Sequence, residues 1–223
     1  MSKIFRCVLY SILIIILTSY FAQAFAADNS KPNEVIAAAK DFYLKAAKDF
    51  KLDFKIDSKI KDISFAGSFM LKPPLNFAIE AKSAALEVKI AFQDGNGFIY
   101  LPAANIITNL DKLTQAKTHS LEIPKNVDQL NAKIKSAAND FVLETASENG
   151  SIKLIGKSKD AHGAFSAVLD SKTYEIKSIT TFNKKGLPEL FIELKNFRYE
   201  ALADNIFSKP QGAVETNLPV PVF

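Results

Sequence analysis

Residues 50–60 read FKLDFKIDSKI, and this stretch decides the fold class because its residues alternate in polarity. Apolar side chains occupy the even positions, interrupted only by Ser58: Phe50, Leu52, Phe54, Ile56 and Ile60. Lysine and aspartate alternate at the odd positions. Because successive side chains of a strand point to opposite faces, the pattern predicts a strand with one apolar face and one charged face. Three surroundings suit the apolar face: a packed core, a bilayer or a ligand.

The first 26 residues have the layout of a cleavable secretory signal. Two basic residues precede the apolar run of residues 8–21, and Ala24-Phe25-Ala26 follows it. A helix of that length would span about 21 Å, which is shorter than the ~30 Å hydrocarbon core of a bilayer and disfavours a membrane anchor. We therefore expect cleavage near Ala26 and a single exported domain formed by residues 27–223.

Cysteine usage and charge narrow the class of protein further. The only cysteine, Cys7, lies within the predicted signal, so we expect a mature chain without disulfides or attached lipid. Loss of Lys3 and Arg6 with the signal lowers the formal net charge from +4 to +2. That charge is too small, and its lysines too scattered along strands, to indicate a nucleic-acid partner.

Apolar periodicity predicts about ten strands and three helices in the mature chain. Spacing of three and four residues predicts helices near 31–48, 104–116 and 126–138. Alternation predicts strands at 50–60, 63–71, 75–81, 86–92, 98–101, 140–145, 151–156, 163–169, 174–183 and 189–198. Turn sequences between them, such as Asp94-Gly95-Asn96-Gly97 and Asn149-Gly150, favour antiparallel hairpins. The fold class is therefore α+β and mainly antiparallel.

The sequence lacks the motifs of the common catalytic and metal sites. His119 and His162 lie far apart, and no HExxH, GxSxG, P-loop or GxGxxG motif occurs. Acidic side chains are scattered on the polar faces of the predicted strands, where solvation accounts for them. We expect no enzymatic activity, no metal and no cofactor.

The strand pattern fits three architectures unequally. A transmembrane barrel would suit the terminal Phe223, but Pro219 and Pro221 interrupt the last segment. Lysine on a lipid-facing strand also costs about 2–4 kcal/mol near the bilayer centre. An ordinary packed core and a cavity under a helical lid fit the periodicity equally well. The 18 phenylalanines, with no tryptophan and no catalytic group, favour a carrier of a hydrophobic ligand.

Four segments resemble, in the same order, motifs of the periplasmic lipoprotein carriers of the LolA family. GSFMLKPPLNFAIE (67–80) is similar to the family's strand–KRP–strand segment, and QDGNGFIYLP (93–102) to a DGK-type turn that precedes an aromatic strand. NDFVLETASENGSIKL (139–154) resembles the strand and turn after the lid helices, and FSKPQGAVE (207–215) the closing FxxPxGV element. The agreement in order covers nearly all of the mature chain.

This resemblance implies an unclosed, or half, β-barrel of about ten to eleven strands with a helical lid. It implies a soluble, monomeric periplasmic carrier that shelters the acyl chains of lipoproteins. The partners would be an inner-membrane ABC transporter that releases lipoproteins and an outer-membrane acceptor. Two alternatives stay open: a LolA-like binding protein for another lipid or glycolipid, and a structural or interaction domain with an ordinary packed core.

The predicted cavity residues are the apolar side chains of the first four predicted strands. They are Phe54, Ile56, Phe65, Phe69, Leu71, Phe77, Ile79, Val88 and Ile90. The apolar stripe of the predicted lid consists of Val127, Leu130 and Ile134. In the family, the arginine of KRP helps to latch the lid. Pro73 stands at that position here, so the adjacent Lys72 is the candidate latch.

Overall fold

Twelve strands of this chain form one sheet in a computed structural model, which describes residues 34–35, 49–59, 62–73, 76–110, 141–159 and 163–216. The strands are β1 (Phe50–Ser58), β2 (Ile63–Lys72), β3 (Asn76–Lys82), β4 (Glu87–Gln93), β5 (Asn96–Leu101), β6 (Ile106–Asn109), β7 (Phe141–Glu148), β8 (Ser151–Ser158), β9 (Ala164–Asp170), β10 (Ile176–Phe182), β11 (Pro188–Tyr199) and β12 (Val214–Thr216). Short 3-10 helices span Pro102–Ala104 and Asp204–Ile206.

The sheet is unclosed and almost wholly antiparallel. Its strand order is β12-β6-β5-β4-β3-β2-β1-β11-β10-β9-β8-β7, so β12 and β7 form its two edges. Among the described strands, β12 and β6 form the one parallel pair. Twisted sheets of more than about ten strands curl, split or flatten, and a large unclosed sheet of this kind is consistent with an open β-barrel. The predicted fold class is confirmed in this coarse form. The predicted lid helix at 126–138 lies outside the described residues.

The predicted helix at 104–116 is wrong over its first part, because residues 106–109 form β6. Asn105 ends the preceding 3-10 turn in a left-handed conformation, with φ 53°, and turns the chain back along β5. Ile106, Ile107 and Thr108 are β-branched and favour a strand. A short apolar run does not distinguish the two periods. Leu110 is helical, and residues 111–116 lie outside the described ranges.

Two further elements bear on the sequence prediction. One is a strand that was not predicted, and the other is a predicted helix of which the structure describes only two residues. The sequence predicts no strand after residue 198, whereas Val214–Thr216 forms β12 beside β6. Three residues are too few to display a period, so this strand carries no sequence signal of its own. Of the lead helix predicted at 31–48, Glu34 and Val35 are helical and the rest lies outside the described residues.

Two-residue hairpin turns fix the register of the sheet. Asp94 and Gly95 have φ of 50° and 82°, and Asn149 and Gly150 have φ of 47° and 74°. Positive φ at both central residues matches the right-handed twist of the strands that such a turn joins. A shift of one residue would move every side chain to the other face, so these turns decide which residues lie inside the curve.

The two faces of the sheet carry separate apolar clusters. The inner cluster lies on the face of Phe54 and Phe69 and takes buried residues from β1–β5 and β8–β11. The outer cluster lies on the opposite face and consists of Met70, Ala78, Ala91, Phe98, Ile107, Leu202 and Phe207. Leu202 and Phe207 belong to residues 200–213, here named the strap. The strap connects β11 to β12 and packs across the outer face.

Candidate functional site

All nine predicted cavity residues are buried and belong to the inner cluster. Antiparallel register places them side by side: Ile56 pairs with Phe65, and Phe69 pairs with Ile79, which pairs in turn with Ile90. The alternation that identified them in the sequence is therefore the alternation that assigns them to one face. That they contact a ligand stays a prediction.

A row of phenylalanine rings crosses β1 to β4 on the inner face. The ring centroids of Phe50 and Phe69 lie 5.7 Å apart, those of Phe69 and Phe77 6.5 Å, and those of Phe77 and Phe92 5.5 Å. The last two pairs are stacked, with interplanar angles of 27° and 12°. Stacked rings of this separation attract each other beyond their area burial. They form a continuous aromatic surface that runs across the strands.

Two glycines shape this surface. A Cβ at Gly97 would lie 2.5 Å from Leu110 Cδ1 and 2.9 Å from the Phe92 ring, so the missing side chain makes room for both. At Gly67, a Cβ would clash with the backbone carbonyl of Glu80 on β3. A side chain at Gly67 would therefore displace the β3 backbone, whereas one at Gly97 would displace the side chains of Leu110 and Phe92.

The inner cluster extends beyond the residues that the sequence singled out. It also contains Ile152, Leu169, Ile179, Leu190, Ile192 and Leu194 from the second half of the chain. Their alternation in LFIEL, residues 190–194, was the available signal. Among the described residues, the buried polar side chains are Ser68, Thr108 and Ser166, none of which ionises. The buried side chains of the described inner face therefore suit an apolar ligand.

Lys72, the candidate latch, contacts the strap. Its ammonium donates to Asp204 Oδ1 at 2.6 Å and to the Leu202 carbonyl at 3.2 Å. On the other side of the same residue, the Leu202 amide donates to Asp49 Oδ2 at 2.8 Å. The hydrogen bond to Asp204 raises the pKa of Lys72 above its usual value. These contacts anchor Leu202 at the outer cluster.

The lid prediction is not tested by the described residues. Val127, Leu130 and Ile134 lie outside them, so the role of Lys72 as a lid latch stays a prediction. Val35 and Leu110, which are helical, do pack against the inner cluster.

A groove of about 530 Å³ lies on the outer face beside the strap. Its lining includes Glu80, Lys82, Glu87, Lys89 and Tyr100. Charges of both signs face each other there, with Lys89 Nζ 3.7 Å from Glu80 Oε1. An acyl chain would have to desolvate these groups, so the groove does not suit an apolar ligand.

Metal ligands and membrane-spanning helices are missing from the part of the chain that the structure describes. No three histidine, cysteine or acidic residues there come together as a metal site would need. No helix in the same ranges is long and apolar enough to cross a bilayer.

Comparison with known proteins places the likeness at the level of fold. No protein-family model matches the sequence, and no curated protein matches it significantly. An uncharacterized conserved protein from Thermus thermophilus has a similar structure, with a TM-score of 0.58 at 12% identity, over 84% of this chain and 99% of that one. MucB in complex with MucA(peri) matches with a TM-score of 0.51 at 12% identity, over 81% of this chain and 60% of that one.

The matches also include a LolA superfamily protein from Nitrosomonas europaea. Its TM-score is 0.39 at 11% identity, over 81% of this chain and 99% of that one. The solved structures similar to this chain thus include a member of the superfamily that the sequence motifs resemble. At these identities the likeness to the solved structures extends to the fold alone.

Proposed function

We propose that this chain is a soluble periplasmic carrier that shelters the acyl chains of lipoproteins on its inner face. It would receive them from an inner-membrane ABC transporter and hand them to an outer-membrane acceptor. The observation that carries the proposal is the apolar inner face, with its row of four phenylalanine rings and no ionisable buried side chain among the described residues.

The amount of apolar surface supports a ligand. The inner cluster draws on nine of the twelve strands and is a much larger apolar surface than the outer cluster. Each methylene removed from water contributes about 0.8 kcal/mol, so a sixteen-carbon chain would contribute up to about 12 kcal/mol. Release into water would then be negligible, because such a value corresponds to a nanomolar dissociation constant. Transfer must therefore proceed by direct contact between carrier and acceptor.

A second candidate is a LolA-like carrier for another lipid or glycolipid. It is favoured by the inner face itself, because apolar contacts recognise shape and hydrophobicity and do not distinguish a lipoprotein from a free lipid. The fold likeness to MucB, solved with MucA(peri), adds binding of a protein segment as a third possibility to be tested.

Native mass spectrometry of the protein purified from the periplasm of its own organism tests the proposal. We expect a carrier of lipoproteins to copurify with diacylated or triacylated polypeptides. Free lipid or glycolipid would instead establish the second candidate. A ligand-free protein that also fails to bind palmitate or a synthetic lipopeptide after purification would contradict both and indicate an ordinary packed core.

A further inference from the structure

Within the described ranges, the edge strand β7 has a row of backbone hydrogen-bonding groups that no neighbouring strand pairs. Its eight residues, FVLETASE, pair with β8 without a register shift, and β7 is the last strand of the sheet on that side. Exposed edge strands are commonly shielded by proline, lysine, bulges or shortness. β7 has no proline, lysine or bulge, and it is as long as β8. Its charged residues are Glu144, which forms an ion pair with Lys157 of β8 at 2.8 Å, and Glu148 at its end.

The register identifies the residues whose backbone groups point away from β8. The two-residue turn at Asn149-Gly150 makes Glu148 and Ser151 a hydrogen-bonded pair. Hydrogen-bonded and non-bonded pairs then alternate along the antiparallel ladder. The N–H and C=O groups that face outward belong to Phe141, Leu143, Thr145 and Ser147. In the described ranges, no strand pairs with them on that side.

The side chains of the same four residues lie on the inner face of the sheet. Phe141 contacts Phe165 with ring centroids 5.3 Å apart, and Leu143 pairs with Gly156, over which the Phe165 ring lies. Phe141, Leu143 and Thr145 are half-buried, whereas Val142 is 51% exposed on the opposite side. The apolar inner surface therefore continues to the edge at which backbone groups become available.

The opposite edge of the sheet is built differently. β12 has three residues, and Glu215 within it contacts Lys209 at 2.6 Å and Asn109 at 3.3 Å. Short length and charged side chains are the devices that prevent an edge from accepting another strand. Of the two edges that bound the open side of the sheet, β7 is the one suited to pairing.

We propose that β7 binds the polypeptide segment that adjoins the lipidated residue of a client. This extended segment pairs with β7 as an additional antiparallel or parallel strand. This inference rests on the proposed function, because the acyl chains on the inner face hold that segment near the open side. Backbone pairing is independent of side-chain sequence, which suits a carrier of clients that share a lipid anchor and differ in sequence.

Thr145→Pro tests the inference, with Thr145→Val as the matched control. Proline removes the outward N–H of Thr145, and its ring obstructs an added strand, whereas the bonds to β8 are kept because they involve neighbouring residues. Affinities for palmitate and for a synthetic diacylated peptide with ten residues after its lipidated cysteine are compared by displacement of a fluorescent probe. We expect Thr145→Pro to weaken lipopeptide binding about tenfold more than it weakens palmitate binding, as loss of one hydrogen bond of ~1.4 kcal/mol would do. Thr145→Val, which keeps the backbone amide, should change the affinities for both ligands by the same factor.

Three results would contradict pairing at β7, and each can be distinguished from failure of the proposed carrier function. If wild type and Thr145→Pro bind the lipopeptide equally and both bind palmitate, the carrier proposal stands and pairing at the β7 edge is excluded. A wild-type dimer that Thr145→Pro dissociates without effect on lipopeptide affinity would assign the edge to a second copy of the chain. Should Thr145→Pro not fold, a lipopeptide N-methylated at alternate backbone amides provides the same test on the wild-type protein, and undiminished affinity would contradict the proposal.

Discussion

The inner and outer clusters lie on opposite faces of the same sheet and are covered in different ways. The outer cluster is small, and the strap closes it with Leu202 and Phe207, which are 7% and 1% exposed. The inner cluster spans nine strands, and no segment comparable to the strap crosses it within the described ranges. The outer cluster is therefore a core that the chain packs against itself, whereas the inner cluster is the larger apolar face that we propose as the ligand site.

The largest expected difference between the two clusters is the cost of removing a ring. Phe207→Ala should destabilise the protein by about 3–5 kcal/mol, because a cavity forms in a packed core. Phe77→Ala should cost about 1.5–3 kcal/mol, because a space next to a ligand site loses transfer energy without creating a closed cavity. Urea unfolding of both variants measures the difference, and only Phe77→Ala should weaken binding of palmitate.

A reversed order of these two costs would contradict the comparison. Equal weakening of palmitate binding by both variants would also contradict it, since Phe207 lies on the face opposite the proposed site.

A smaller effect is expected where the strap is anchored. Lys72→Met removes the ammonium that bonds Leu202 and Asp204, so the strap should open more often while the sheet stays folded. Hydrogen exchange in residues 200–213 should accelerate, whereas Lys82→Met, which removes an exposed ion pair with Glu87, should leave it unchanged. Unchanged exchange in Lys72→Met would show that the strap is held by its apolar contacts alone.

The pH dependence of this anchor has a definite sign. The pKa of Lys72 is raised in the folded protein, mainly by its hydrogen bond to Asp204. The contribution of this group to stability is thus complete below its usual pKa of 10.5 and is lost as the pH rises through the higher folded value. Lys72→Met should remove this alkaline loss.

The smallest effect is expected at the turn after β9, where Asp170 forms an ion pair with Lys177. Asp170 accepts hydrogen bonds from Lys177 and from the backbone amides of Lys172 and Thr173, which together lower its pKa strongly. Its contribution to stability is present above its usual pKa of 3.8 and is lost as the pH falls through the lower folded value. Asp170→Asn should therefore reduce stability at pH 7 and show less acid dependence than the wild type below about pH 4. Parallel unfolding curves of the two proteins across that range would contradict this assignment.

The sequence predicts the inner face well because one physical pattern specifies it. Alternation in FKLDFKIDS places Phe54 and Ile56 inside, and the same period extends through β11. The strand at 106–109 escapes the sequence prediction because Ile106 and Ile107 fit either period. Pairing of β12 with β6 and of Lys72 with Asp204 joins residues more than one hundred positions apart, and no local pattern contains that information.

A matched pair of charges on β2 tests the central claim most directly. Phe69 and Met70 are adjacent, 1% and 3% exposed, and belong to the inner and the outer cluster respectively. An isolated carboxylate in a packed core has no water and no partner, so Met70→Glu should unfold the protein or lower its thermal midpoint severely. On a face that admits water when no ligand is bound, Phe69→Glu should stay folded and monomeric, and a fluorescent probe should report no binding of palmitate or lipopeptide. If Phe69→Glu unfolds as Met70→Glu does, or if it folds and binds these ligands as the wild type does, the inner face is not a lipid-binding cavity.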